Sequence, residues 1–330
     1  MALILSRTDI QRCLHMPEAI EAMRVAFSAL STGRASAPHR LAVDLPEQSV
    51  ALLMPSLLQT TDCYNFGLKV VTVIPKNPQR GLPRIYASIL LLDATTGQTI
   101  AIMEGGWLTA MRTGAVSGLA TDLLARQDAN VLALFGAGVQ APTQVLAIHT
   151  VRPLREVRVV NRDDSHYQHL VATLQTILGS SCPPISRAIS SKEALAGASL
   201  VACATISTAP LFSWPEVAPG THINAIGAFT PDMCEVDPAT LSHARIVVDQ
   251  RAAALVEAGD LIQPLASGLI TGPETWLELG ELVTGKHPGR QTPEEVTFFK
   301  SVGIAVQDAA IASQVYKKAR ELGIGVDVDI

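Results

Sequence analysis

The stretch LALFGAGVQAPTQ limits the fold of this chain most strongly. An apolar run leads straight into Gly136, Gly138 and Ala141, the spacing GxGxxA. In that order a strand turns sharply into a helix. Gly136 permits the tight turn, Gly138 lets a pyrophosphate approach the backbone, and Ala141 lets the helix pack on the strand. Glycine turns also occur as purely structural devices, so the context has to carry the argument. A second apolar run, EVRVVN, follows the helix and puts Asn161 twenty residues after Ala141. Strand, helix and strand in this order predict a dinucleotide-binding unit of the Rossmann type.

The same rhythm continues after Asp128. HYQHLVATLQTIL has helical spacing, and LVACAT, THINAI and RIVVDQ are strand-like, which implies a doubly wound parallel sheet. The first third differs. Thr8 is placed to cap a short turn, and Pro17 opens a helix lined by Ile20, Met23, Phe27 and Leu30 that stops at Gly33. LAVDL, VALLM, GLKVVTVI and IYASILLLD then read as strands broken by Pro46, Pro55 and Pro75, with DATTG as a hairpin turn into QTIAIM. This predicts an α+β unit with a mostly antiparallel sheet. WLTAMRTGAVSGLATDLLA reads as a connecting helix, and the tail from VTFFK onward as one or two helices able to return to the first unit.

The end of the second Rossmann strand discriminates between nicotinamide cofactors. An acid there bonds the ribose 2′-hydroxyl and repels a 2′-phosphate; this chain has Asn161-Arg162, with Asp163 and Asp164 beyond. Arg162 can pair with a phosphate through two charge-assisted bonds, which favours NADPH over NADH. The competing reading makes Arg162 a solvated loop charge and puts Asp163 on the ribose, so that NADH is also accepted.

Other classes of function find no support. A formal net charge of -5, with Lys and Arg scattered, offers no basic field for nucleic acid, and no apolar run reaches bilayer length. A cytoplasmic protein is expected. The five cysteines are odd in number, far apart and never CxxC, so neither a disulfide framework nor a zinc knuckle is expected. HExxH and GxSxG are missing, His166 and His169 fall on a predicted surface helix, and no metal site is expected.

Three cations stand out by placement: Arg40 before LAVDL, Lys69 inside GLKVVTVI, and Arg112 in an apolar helical stretch. A lysine within a strand ordinarily faces solvent, and by itself Lys69 reads that way. Arg112 is flanked by small, close-packing residues, so its guanidinium requires an anionic partner, either Glu104 or a substrate carboxylate.

LTAMRTGAVSG, LFGAGVQA, INAIGAFTPD and FKSVGIAVQD together resemble the ornithine cyclodeaminase and mu-crystallin family, in order and over nearly the whole chain. The resemblance implies a substrate-binding and dimerisation domain over 1–113 with 303–330, and a Rossmann domain over 114–302. It implies that Arg40, Lys69 and Arg112 hold a substrate carboxylate, with Lys69 and Arg112 the catalytic pair and Val302 beside the substrate. Arg84, Arg112, Thr113, Gly136, Gly138, Val139, Asn161, Arg162, Thr205, Ala225 and Ser301 fall to the cofactor.

Two departures narrow the activity. Cyclodeaminases carry an Asp where this chain has Phe229 and a Glu where it has Leu52; both acids serve a diamino substrate. With Leu52 and Phe229 the pocket is apolar, and a distal ammonium would go uncompensated. The resemblance then points to reduction of cyclic ketimines, in which an activated imine needs its carboxylate clamped and a hydride supplied. Leu52 and Phe229 would pack the ring methylenes, and Thr230 would orient the imine nitrogen or a water. Alternatives within the family are an alanine dehydrogenase or an ornithine cyclodeaminase, and, in another class, a mu-crystallin-like NADPH-dependent ligand-binding protein; a homodimer and a small cyclic imino acid are the expected partners.

Overall fold

The computed structural model describes residues 1–61 and 63–330. Two compact units divide the chain, Met1–Arg112 with Ile304–Ile330 and Thr113–Gly303. Among the described residues no helix is long and apolar enough to cross a membrane.

The first unit is a mixed sheet with helices on it. Along the sheet the strands run Val326–Val328, Ala2–Leu5, Thr99–Glu104, Ile85–Asp93, Tyr64–Val73, Ser49–Gln59 and Ala35–Ser36, with Leu41–Leu45 also paired to Ser49–Gln59. All pairs are antiparallel except Ala2–Leu5 with Thr99–Glu104. The apolar start of the chain is thus a strand, and Ser6, not Thr8, caps the helix that follows: its side chain accepts from the Asp9 N–H in a reciprocal capping box.

Pro55 does not break its strand, contrary to the sequence reading. The Leu41–Leu45 strand pairs with Ser49–Gln59 only as far as Leu53, and Ala35–Ser36 only from Leu57. The gap between them on that flank tolerates a residue without an N–H.

The tail helix, Ala305–Leu322, lies on one face of this sheet. On the Tyr64–Val73 strand the period of two turns Asn65, Gly67, Lys69 and Val71 to that face, where all four are buried. Asn65 Nδ2 donates to Ser313 Oγ at 2.9 Å, and a Cβ on Gly67 would meet the Ala309 Cβ at 2.8 Å. Ser56 Oγ donates to the Ala305 carbonyl at 3.0 Å, and Met54, Val71 and Ala305 form a small apolar cluster with Leu52 against it. The opposite face of the sheet leaves Leu41, Val43, Val70 and Tyr86 exposed.

The second unit is a parallel sheet in the order Ile185–Arg187, Glu156–Val160, Val131–Phe135, Leu200–Cys203, His222–Ala225, Val296–Lys300, Ala244–Val248 and Leu277–Glu278. Every pairing in it is parallel. VTFFK is therefore a strand and not the start of the tail helices. It is buried along its whole length between two neighbours, which its aromatic and β-branched side chains suit. Strand order reverses between Val131–Phe135 and Leu200–Cys203, the switch point at which open α/β sheets take ligands.

Candidate active site

In the first unit the burial of Lys69 finds its explanation in the tail helix. Lys69 Nζ lies 2.7 Å from Asp308 Oδ2, with both side chains 2% exposed, and Arg112 Nε lies 3.3 Å from Asp308 Oδ1. Arg112 Nη1 donates to Gln307 Oε1 at 2.8 Å. One carboxylate therefore holds two buried cations, and its place in the first turn of a helix suits its charge. Burial lowers the Lys69 ammonium from 10.5 to about 8; Asp308 opposes the fall, while Arg112 and Arg40 add to it.

Arg40, half-buried, belongs to this electrostatic neighbourhood, and Leu52 shares the buried face with Lys69 through its pairing with Val71. Glu104 is not the partner of Arg112. Its carboxylate accepts from the Gly106 and Trp107 N–H groups at 2.6 and 3.0 Å, ordinary use of an acid at a helix start. Arg84 lies on an exposed stretch of this unit, and its carbonyl accepts from the Ile74 N–H.

In the second unit the glycine loop fits a dinucleotide. Gly136 has φ +96°, a left-handed conformation that favours glycine, and a Cβ there would meet the Ala204 carbonyl oxygen at 2.6 Å. A Cβ on Gly138 would enter open space, and Val139 beside it is 83% exposed. The loop's backbone is thus open to a pyrophosphate at the mouth of the Ala141–Val151 helix. Thr113, at the start of this unit, is held through its carbonyl by Gln144 Nε2 at 3.2 Å.

The turn after Glu156–Val160 has both its acids engaged. Asp163 caps the Asp164–Leu178 helix, accepting from the His166 N–H at 3.1 Å and Ser165 Oγ at 2.6 Å, and these bonds hold its carboxyl below the usual range. Asn161 Nδ2 donates to the Asp163 carbonyl at 2.6 Å, while the Arg162 side chain is exposed. His166 and His169 are exposed on that helix.

The INAIGAFTPD loop is fastened by an acid that lies just beyond it. Glu235, fully buried, accepts from Thr205 N at 2.6 Å, Thr205 Oγ1 at 2.8 Å, Gly227 N at 2.8 Å and Ala228 N at 3.0 Å. Burial pushes its carboxyl up, although these bonds favour the charged form. Asp260 Oδ1 in turn accepts from Glu235 N and Val236 N, and its Oδ2 lies 2.7 Å from Lys300 Nζ. Asp249 gathers Ser301 Oγ, Val302 N and Gly303 N within 3.0 Å. These acids tie together the carboxyl ends of four neighbouring strands, Leu200–Cys203, His222–Ala225, Val296–Lys300 and Ala244–Val248. Phe229 is 39% exposed, Thr230 Oγ1 donates to Asp232 Oδ1 at 2.5 Å, and Ala225 is buried at the end of its strand.

The sequence reading missed Asp308, Gln307, Glu235, Asp260, Asp249 and Lys300. For Asp308 a signal was present: an acid inside the apolar run GIAVQDAAIA requires a cation as much as Arg112 requires an anion.

The family model described as ornithine cyclodeaminase/mu-crystallin matches residues 1–323. A Delta(1)-pyrroline-2-carboxylate reductase of Bacillus cereus is 36% identical over 329 residues, which cover 99% of each chain. Among solved structures, Thermococcus litoralis Delta(1)-pyrroline-2-carboxylate reductase in complex with NADH and L-proline matches with a TM-score of 0.93 at 38% identity, covering 99% of this chain and 100% of that one. An archaeal alanine dehydrogenase dimer with bound NAD matches with a TM-score of 0.91 at 32% identity, covering 100% and 99%. With its motifs in both units and a match along nearly its full length, the chain belongs to the ornithine cyclodeaminase/mu-crystallin family.

Proposed function

We propose that this protein reduces cyclic ketimines, 1-pyrroline-2-carboxylate and 1-piperideine-2-carboxylate, to L-proline and L-pipecolate with NADPH. The observation that carries the reading is the buried Lys69, Asp308 and Arg112 cluster, two cations on one carboxylate with positive charge left over for an anion. Arg40 adds a third cation near it. The relatives named as pyrroline-2-carboxylate reductases support the same substrate class.

In this reading Lys69, Arg112 and Arg40 hold the imino acid's carboxylate, and Leu52, Phe229 and Val302 pack its ring. A preformed iminium is already an electrophile, so no acid is needed at Phe229. Thr230 spends its proton on Asp232 and keeps a lone pair for an iminium N–H. The nicotinamide, when bound, supplies the hydride. Gly136, Gly138, Val139 and the N-terminus of the following helix would hold its pyrophosphate, and Thr205, Ala225 and Ser301 would border its nicotinamide half. NADPH is favoured because Asp163 and Asp164 are both committed elsewhere, which leaves Arg162 to face a 2′-phosphate. The exposed apolar face with Leu41, Val43, Val70 and Tyr86 supports a homodimer through the first unit.

The test follows oxidation of NADPH and of NADH with the five-membered imine, the six-membered imine and pyruvate plus ammonium, and release of ammonia from ornithine in the presence of the oxidised cofactors, because cyclodeamination returns its hydride and leaves no net reduced cofactor. Turnover of either cyclic imine is expected. Turnover confined to pyruvate plus ammonium would make it an alanine dehydrogenase, and robust turnover of ornithine would overturn the reading.

A further inference from the structure

Arg187 ends the short edge strand that pairs with Glu156–Val160, one strand away from the glycine turn, and no sequence motif points to it. Its guanidinium reaches into the turn after that neighbour. Nη1 donates to Asp164 Oδ1 at 2.7 Å, and Nη2 donates to the carbonyls of Asn161 at 3.1 Å and Arg162 at 3.4 Å. This is the turn that meets the adenosine ribose in a dinucleotide-binding unit.

The charges of the turn show why this contact matters. The formal charges of Arg162, Asp163, Asp164 and Arg187 sum to zero. Without Arg187 the turn would carry one net negative charge at the place where a 2′-phosphate would bring roughly two more. Asp163 and Asp164 both bring negative charge to the turn, and Arg187, paired with Asp164, offsets the charge that Arg162 alone would leave uncompensated. The pair is exposed, 37% for Arg187 and 67% for Asp164, so its contribution to folding is small.

We infer that Arg187 is a specificity-determining residue for the cofactor: by pairing with Asp164 and bracing the Asn161 and Arg162 carbonyls, it makes this turn accept a 2′-phosphate. The inference rests on the dinucleotide reading of the Gly136 loop. It assigns Arg187 an indirect role, with Arg162 the residue that faces the phosphate.

The experiment is isothermal titration of the full chain with NADP⁺ and NAD⁺, which measures binding without turnover. Wild type, Arg187→Met, Asp164→Asn and the double variant are compared, with thermal melts to confirm that all four fold alike. Arg187→Met is expected to weaken NADP⁺ at least tenfold while NAD⁺ changes less than twofold. In the Asp164→Asn background the same replacement is expected to cost less than threefold, because the repelling charge has gone. Equal losses for both cofactors, a change under twofold for NADP⁺, or a full tenfold loss retained in the Asp164→Asn background would each overturn the inference. Failure of wild type to bind either dinucleotide would overturn the dinucleotide reading itself, and the inference with it.

Discussion

The Asp308 carboxylate sits 2.7 Å from the Lys69 ammonium, the one from the first turn of the tail helix and the other from the middle of a strand. Neither would be stable alone in so buried a place. Removing one partner of such a pair costs about 3–5 kcal/mol, because the other charge is left uncompensated. Asp308→Asn is accordingly expected to lose about that much stability in urea unfolding. A loss under about 1 kcal/mol would show the pair to be solvated.

Lys69 also sets a pH dependence. Its folded value of about 8 lies below the ordinary 10.5, so the folded protein gives up this proton before the unfolded chain does. Between those values the unfolded state binds more protons, and this group's contribution makes stability rise with pH, by at most about 1.4 kcal/mol per unit. Substrate binding runs the other way. A carboxylate needs the charged ammonium, so the KM for the cyclic imine is expected to climb as pH rises through about 8, and Lys69→Arg should flatten that limb. An unchanged limb in the arginine variant would assign the titration to another group.

Glu235 offers a test of the second unit. In Glu235→Gln one oxygen becomes an NH₂ facing backbone N–H groups that now have no acceptor, each costing roughly 1–3 kcal/mol. Cofactor affinity, read by fluorescence titration, is expected to fall at least tenfold, with Glu235→Asp intermediate. Unaltered affinity in a folded Gln variant would show that the ends of the Leu200–Cys203 and His222–Ala225 strands do not depend on this acid.

Phe229 is exposed enough to be replaced without unfolding the protein. Phe229→Asp puts a charge where the proposed ring contact lies, so kcat/KM for the five-membered imine is expected to drop about tenfold, equivalent to about 1.4 kcal/mol. The melting temperature should move little. A variant as active as the wild type would remove Phe229 from the substrate site.

What the sequence disclosed depended on how local the causes were. The Gly136 turn, the helix behind it and Asn161 follow from neighbouring residues, and their strand, turn and helix were legible. Lys69 was not, because the strand period places it on either face equally well, and only the tail helix decides which face is buried. VTFFK failed for a related reason: a short apolar run carries no period, and its parallel neighbours lie far away in sequence. Glu104 was misassigned because closeness in sequence suggested a partner for Arg112, whereas the true one arrives from the tail. Arg187 carries no local signal at all, since its importance comes from pairing across a sheet edge.

The first unit is closed by its own last segment: Ala2–Leu5 pairs with Val326–Val328, and Asp308 comes from the helix between. On the ribosome, residues 113–303 are complete while this unit still lacks its final strand and helix. Lys69 therefore waits for its counter-ion until residue 308 has been made. Asp308 comes after the whole of residues 113–303, so a copy terminated between the two would have that unit whole and the Lys69 and Arg112 cations without their carboxylate.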